Sequence, residues 1–506
     1  MRVQQIKMGG GTKTGQNHEV DRARVVVIAG PGLGKMMGSM HPAGSLYERP
    51  TNINKVEEEM AGFRAVLEQS GVKVYDVREV LRWNTCVGHR VDLEEMAARC
   101  LTYELDRTSS YGMATDEKVL HYVGEEYKRH VIEEMSDGQL VNIIMTNPTV
   151  TLRESYRDTG FTARYSFDPL SNINFTRDQQ ITTRKGIVMG RLRSEQRRKE
   201  VDVLEFCHRK LGLEVIGRIP EPGFLEGGDF FPVGEHLCLI GVGPRSNLGA
   251  CEYMMKNDLL GTSKVAVVKD EFELCQDRMH LDTVFNILDT DCCLMLQEMM
   301  GENSETRRMV DEYRRDSPDQ EYYLARENIE FSQYITEQGF NIIPVSGEDQ
   351  LKYGCNVLNL GNGLIIAVHK KTAREISRSP FFRGQIKLIE FRAITSMYGA
   401  VHCASQVVLR GDDDDDRVAK LPEIKPIARH EIMGGGDFGT RDDDAKPASC
   451  RLRVSGGRNT QPHGYAQKVY GRVRIPVSRT HVERDSLALP RVRFEDHQCL
   501  RLILYH

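Results

Sequence analysis

The chain has 506 residues, 40% hydrophobic and 28% charged, with a formal net charge of −5. That mixture is ordinary for one large soluble domain or two to three smaller ones, and it has no basic footprint for nucleic acid. No apolar run approaches the roughly 18 residues of a membrane span, and residues 1–20 lack an apolar core of signal-peptide length, so a cytoplasmic protein without membrane or nucleic-acid partners is expected.

Arg24-Val-Val-Val-Ile-Ala29 reads as a buried, β-branched strand stopped by Gly30-Pro-Gly32. Residues 57–69 place Met60, Phe63 and Val66/Leu67 on one helical face, with Gly71 just past the end. Residues 72–77 form the next strand. From Trp83 to about Val150 the pattern turns helical, through Leu93, Met96, Ala97, Cys100, Leu101 and Leu105, then an amphipathic stretch at 120–135. Ser136 is placed to cap a third helix, and residues 83–155 read as a helical insertion.

From Asn172 onward short polar motifs recur, read as following strands: Phe175-Thr-Arg-Asp178, Glu226-Gly-Gly-Asp229, His280-Leu-Asp282, Gly354-Cys-Asn356 and His402-Cys403. Asp178 and Asp229 are 51 residues apart, Asp229 and Asp282 are 53, and Asn356 and Cys403 are 47. The step of 74 from Asp282 to Asn356 carries its surplus in the polar stretch 301–330. A period near 50 suggests a repeated strand–helix unit, and repeats about an axis bring such motifs to one centre. After Arg410 come the acidic run 412–416, Gly434-Gly-Gly436 and Asp442-Asp-Asp444 with no sustained period, so residues 411–506 read as a poorly ordered extension. The Arg410-Gly-Asp412 tripeptide is read as incidental. The twelve cysteines contain no CxxC pair, so most are read as small buried hydrophobes.

Cys, His and several carboxylates are what guanidinium hydrolysis needs. Paired carboxylates hold the planar cation, a soft nucleophile attacks its central carbon, and a proton carrier serves departing ammonia and then water. The five motifs in this order, as Phe175-Thr-Arg-Asp178, Leu225-Glu-Gly-Gly-Asp229, Met279-His-Leu-Asp-Thr-Val-Phe285, Gly354-Cys-Asn-Val-Leu-Asn-Leu-Gly361 and Gly399-Ala-Val-His-Cys403, resemble those of arginine deiminases. These belong to the guanidine-modifying superfamily with the pentein fold. The resemblance extends over roughly residues 20–409 and includes Glu19-Val20, Gly30-Pro-Gly32 and Ala65-Val-Leu-Glu-Gln-Ser-Gly-Val-Lys-Val74.

That resemblance implies a five-fold pseudo-symmetric α/β propeller over residues 20–410, interrupted by the helical insertion. It implies Cys403 as nucleophile, His280 as acid and then base oriented by Glu226, and Asp178 and Asp282 as the guanidinium clamp. Arg197 and Arg245 are the expected partners of the substrate carboxylate, with Arg191, Arg193 and Arg198 competing for the role of Arg197. Asn172 and Phe175 line the expected pocket, and Asp229 contacts the amino-acid end. The implied substrate is free L-arginine, with no cofactor or metal and a homo-oligomeric assembly. Met397-Tyr398 departs from the arginine or methionine common before the family's cysteine.

Agmatine deiminase, dimethylarginine hydrolase and amidinotransferase are the alternatives within the superfamily. A phosphate-cradling loop at Ala29-Gly-Pro-Gly-Leu-Gly-Lys35 is a remote one, since Met36 lacks the hydroxyl such a loop presents to magnesium. The His280-x-Asp282 pair could also be two metal ligands, though no further cluster stands at zinc spacing.

Overall fold

A computed structural model describes residues 12–106, 117–155, 160–412 and 416–426, all within one compact unit. The apolar run at 24–29 is the buried centre of a small sheet. Strand Ala23–Ile28 pairs parallel with Lys73–Asp76 and antiparallel with Gln406–Arg410, so segments far apart in sequence meet here. Between its two parallel strands runs helix Ile53–Gln69, as a parallel connection requires. Asn52 caps it, its side chain accepting from the Asn54 and Lys55 amides, and Val56, Met60, Phe63 and Leu67 form its buried face. Gly71 adopts φ +79° just past the end, a conformation open to glycine.

Four further sheets repeat this pattern. A central strand pairs antiparallel with the strand before it and, after a helix, parallel with the strand beyond. The central strands are Ile187–Met189, Leu237–Val242, Cys292–Leu296 and Leu364–Ala367. The intervening helices are Arg198–Lys210, Leu248–Lys256, Phe331–Glu337 and Lys370–Arg378. The chain is therefore α/β, in separate small sheets, none of which closes on itself. No helix among the described residues is long and apolar enough to cross a membrane.

The recurring motifs do not follow strands, as the sequence reading had it; they lead into them. Asp178 precedes Gln180–Thr182, Asp229 precedes Phe230–Pro232, Asp282 precedes Phe285–Asp289, Asn356 precedes Leu358–Gly361, and Cys403 precedes Gln406–Arg410. Each motif is thus the entry to the first strand of its unit. Two of them, Gly227–Asp229 and Leu281–Thr283, are single 3₁₀ turns.

The insertion is not purely helical. Helices Arg90–Cys100, Glu117–Val123, Glu125–Glu133 and Asp137–Thr146 accompany a sheet of Thr102–Leu105, Pro148–Ser155 and Gly160–Phe167, which runs past residue 155. Ser136 does cap its helix, in a reciprocal capping box with Gln139. The stretch 120–135 is two helices that meet at Gly124, and Leu105 lies in a strand. The polar stretch 301–330 supplies Met309–Arg314 and Tyr323–Glu330, which widen the third-strand side of one sheet to five strands.

The boundaries near 20 and 410 are less sharp than the motifs suggest. Thr14, Gln16 and Glu19 are buried, and Glu19 receives a hydrogen bond from Arg410 at 2.6 Å. Past Arg410, helix Asp416–Ala419 leads to Leu421, which is buried in the main apolar cluster. The remainder of the expected extension, 413–415 and 427–506, lies outside the described residues.

Candidate active site

Three of the strand-entry motifs meet around Cys403. The Asn356 Nδ2 donates to Cys403 Sγ at 3.0 Å and to the Asp282 carbonyl at 3.1 Å, while its Oδ1 accepts from the His402 and Cys403 amides. The thiol donates to Asp282 Oδ2 at 3.4 Å. His402 Nδ1 meets the same Oδ2 at 2.8 Å, and its ring stacks on Phe231. Arg177 pins this turn from below, its amide bonding the Cys403 carbonyl and its Nε the His402 carbonyl. Burial and then the negative charges of Asp282 and Asp178 push the Cys403 thiol well above its ordinary pKa. Unliganded, the sulfur is protonated.

The other motifs meet around His280. Its Nε2 lies 2.7 Å from Glu226 Oε2, and its Nδ1 lies 3.7 Å from Asp178 Oδ1. Burial alone lowers the imidazole's pKa, but Asp178, Glu226 and Asp229 outweigh it and lift the group to about 10. Glu226 goes the other way: burial raises it, and His280 with Arg245 and Arg197 overcomes that to hold it at about 2. At neutral pH the pair is imidazolium and carboxylate. Its local backbone explains the two glycines of the motif. A Cβ on Gly228 falls 2.7 Å from His280 Nδ1, and one on Gly227 falls 2.0 Å from the Arg177 carbonyl oxygen. At Gly227 only hydrogen fits, while at Gly228 a methyl group requires the His280 ring to move.

The two carboxylates expected to clamp a guanidinium each have one oxygen in use. Asp178 Oδ2 takes Arg197 Nη1 at 2.7 Å, and Asp282 Oδ2 takes His402 and Cys403. Asp178 Oδ1 and Asp282 Oδ1 are buried with no hydrogen-bond partner. A buried acceptor left without a hydrogen bond is costly, so each of these oxygens marks a place for a donor. Asp178 lines the cavity at Cys403, whereas Asp282 lies behind the sulfur and does not.

A narrow cavity of about 20 Å³ lies here, lined among others by Asn172, Phe175, Asp178, Arg197, Arg245, His280 and Cys403. Leu46, Gln276, Met397 and Tyr398 also line it. Leu46 and Tyr398 both sit at left-handed φ, +58° and +65°, which side chains rarely adopt and which clusters at functional sites. Arg245 donates to Gln276 at 3.1 Å. Arg197 is more committed: Nε to Glu200, Nη1 to Asp178, Nη2 to the carbonyls of Asn172 and Phe175. Arg191, Arg193 and Arg198 gather over the Phe224 ring instead.

Asp229 does not line the pocket. Its oxygens accept from the Leu281 amide at 2.9 Å and the Ser246 hydroxyl at 2.6 Å, so it braces the segment that carries His280 and Asp282. Burial raises it to about 6. Asp178, Glu226 and His280 offer ligand atoms within 4.8 Å of one another, a spacing that could hold a metal ion, but only by displacing the Glu226–His280 bond. The residues that sequence reasoning missed are Asn356 as a partner of the sulfur, His402 as a partner of Asp282, and Glu200 beneath Arg197. Asn356 and His402 stood inside quoted motifs, whereas Glu200 carries no signal beyond a helical position. Lys35 is buried and turned inward, so the Gly-rich segment before it presents no lysine to a phosphate.

Over residues 44–410 the chain matches the family described as arginine deiminase. An arginine deiminase of Halobacterium salinarum is 26% identical over 321 residues, which cover 48% of this chain and 65% of that relative. One of Staphylococcus haemolyticus is 23% identical over 426 residues, 78% of this chain and 98% of the relative. Among solved structures, a dimethylarginine dimethylaminohydrolase of Pseudomonas aeruginosa in complex with citrulline is 16% identical, with a TM-score of 0.43 over 77% of this chain and all of that one. An amidinotransferase of Microseira wollei is 13% identical, with a TM-score of 0.43 over 78% and 97%.

Proposed function

The chain belongs to the arginine deiminase family, and from that premise we propose that it hydrolyses L-arginine to L-citrulline and ammonia, with Cys403 as nucleophile. The observation that carries the reading is the pair of buried oxygens that lack a hydrogen-bond donor, Asp178 Oδ1 and Asp282 Oδ1, beside a thiol and an imidazolium. A guanidinium offers five N–H donors in a plane and no acceptor, which is the complement of that pair.

The steps follow from the charges. Cys403 is held protonated by burial and by two carboxylates, so a bound cation that offsets those carboxylates lowers its pKa, and the thiol proton leaves to solvent as the thiolate forms. The sulfur attacks the central carbon, and His280 gives its proton to the departing nitrogen. Ammonia leaves a thiouronium on Cys403. Neutral His280 then draws a proton from water, whose oxygen attacks the same carbon; the adduct collapses to citrulline as the C–S bond breaks, and the remaining hydroxyl proton restores the thiol. Glu226 keeps the imidazole oriented throughout and favours its charged form at the start and end of the cycle.

Arg245 is the better placed reader of the substrate's carboxylate, because it engages one neutral side chain, whereas every nitrogen of Arg197 already serves Asp178, Glu200 or a carbonyl. Asn172 and Phe175 border the aliphatic part. The five repeated units stand about one axis as a pentein propeller, with the strand entries at its centre. The enzyme works in the cytoplasm as a homo-oligomer, without metal or cofactor.

The test is product analysis with L-arginine, agmatine and methylated arginine side by side, in the presence of a chelator. Citrulline from arginine, with the others turned over far more slowly, is the expected result. Preference for agmatine or a methylated arginine overturns the substrate. A hydrogen bond to a charged group contributes about 1.5–3 kcal/mol, so Arg245→Ala should cost about ten- to a hundredfold in kcat/KM for arginine and little for agmatine, which has no carboxylate.

A further inference from the structure

Lys35 belongs to none of the chemistry above, yet it is a buried cation within reach of the pocket. It is 3% exposed and lies on helix Leu33–Ser39. Its ammonium donates to the Ser171 carbonyl and to Asn174 Oδ1. It stands 5.0 Å from the centre of the Tyr47 ring and 5.8 Å from that of Phe175. Two glycines on the same helix let it come this close: a Cβ on Gly34 meets the Met145 carbonyl oxygen at 2.8 Å, and one on Gly38 meets the Tyr47 hydroxyl at 2.6 Å.

What Lys35 touches is the segment that borders the pocket. Residues 171–175 carry Asn172 and Phe175, and this stretch has no charge of its own. Arg197 holds it from one side through the carbonyls of Asn172 and Phe175. Lys35 holds it from the other, with Tyr47 donating to the same Ser171 carbonyl at 2.7 Å and the Asn172 amide tied to the Ser45 carbonyl at 2.9 Å. The Phe175 ring is then fixed between the Lys35 ammonium and Gly399, where a Cβ would fall 2.3 Å from the ring. Gly399 lies four residues before Cys403 on the turn that carries the nucleophile.

We propose that Lys35 is a positioning residue for substrate binding: with Arg197 it suspends residues 171–175 between two buried cations and sets Phe175 and Asn172 against the substrate's aliphatic chain. The inference rests on reading the pocket as the arginine site. A neutral side chain of equal length fills the space but cannot hold a carbonyl, an amide oxygen and a ring face together. The groups facing the ammonium are Glu200, Arg197, Tyr47 and the uncharged segment 171–175. Burial, with Arg197 acting in the same direction and Glu200 against it, brings Lys35 down to about 7. The hold therefore weakens as pH rises through neutrality.

The experiment measures kcat and KM for L-arginine from pH 6 to 9 in wild type, Lys35→Met and Asn174→Ala, with circular dichroism of each. In wild type KM should rise above about pH 7, while in Lys35→Met it should be about tenfold higher at pH 6 and flat across that range. The kcat should stay within about threefold, because Cys403, His280 and Asp282 are held by other segments. A KM within twofold of wild type, or a loss confined to kcat, overturns the inference. If Lys35→Met does not fold, Asn174→Ala, which removes one acceptor and keeps the charge, must raise KM several-fold or the inference fails. A wild type that releases no citrulline overturns the underlying reading instead.

Discussion

Glu226 and Cys403 separate electrostatics from covalent chemistry at the scale of single residues. His280 is kept charged against the pull of burial by Asp178, Glu226 and Asp229. Replacing Glu226 by Gln keeps a hydrogen-bond acceptor 2.7 Å from Nε2 but removes one of those charges. The sign follows directly: a less stabilised imidazolium has a lower pKa, and the acid form is lost at lower pH. The alkaline limb of the kcat profile should thus move down by roughly one pH unit or more in Glu226→Gln. An alkaline limb unmoved in that variant removes Glu226 from the role. Cys403→Ala leaves both clamp carboxylates in place, so turnover should fall by about a thousandfold or more while arginine still binds, as equilibrium dialysis measures. Turnover within tenfold of wild type would take the nucleophile's role from Cys403.

The Glu226-Gly-Gly-Asp229 turn shows what a short element does that its residues alone do not. Its two glycines have different neighbours, so alanine at each should fail differently. At Gly227 the added Cβ meets two backbone carbonyl oxygens, of Arg177 at 2.0 Å and Gln180 at 2.2 Å, and neither can swing aside. Gly227→Ala should destabilise the fold by about 1–3 kcal/mol or more, read by denaturant unfolding. At Gly228 the Cβ meets the His280 ring. Gly228→Ala should leave the unfolding midpoint nearly unchanged and cut kcat by about tenfold or more, since the imidazole must turn away from its partners. Equal losses of stability in both variants would mean that the turn is a structural hinge only. The motif was legible in the sequence because glycines and carboxylates cluster there between apolar runs. Its place relative to the strands was not, because strands of three residues such as Gln180–Thr182 and Phe230–Pro232 are too short to show a period of two. The helix at 53–69 and the Ser136 cap were legible for the opposite reason, having four turns of apolar spacing and a reciprocal box. The contacts among Asn356, His402, Cys403 and Asp282 span 46 to 121 residues and have no local signature.

Across the whole molecule the spacing of about 50 residues showed the repeats but misjudged where the fold stops. Strand Gly160–Phe167 alternates apolar Phe161, Ala163, Tyr165 and Phe167 with polar Thr162, Arg164 and Ser166, a period of two that is passed over when the insertion is read as helical and ended at 155. The end near Arg410 was misjudged because the acidic run at 412–416 looks like the start of a solvated tail. Residues 416–426 nevertheless lie against the core. Leu421 is buried beside Val408 and Leu409 in the main apolar cluster, the Tyr75 hydroxyl donates to the Pro422 carbonyl at 2.6 Å, and Lys73 donates to the Leu421 carbonyl at 2.9 Å. The Lys73–Glu423 ion pair adds little, since Glu423 is 91% exposed. Burial of one leucine contributes about 2 kcal/mol and each hydrogen bond about 1 kcal/mol, so a chain ending at Gly411 loses a few kcal/mol that a chain ending at Pro426 keeps. For a domain of this size that corresponds to a fall in Tm of about 2–4 °C. Every residue proposed for the chemistry lies at or before Cys403, so both shortened chains should convert arginine at 25 °C with a kcat near that of the full chain. Calorimetry and citrulline release on the three lengths check this together. If the two shortened chains melt at the same temperature, residues 412–426 contribute nothing to the core; if the chain ending at Pro426 is inactive, the catalytic unit needs residues beyond it.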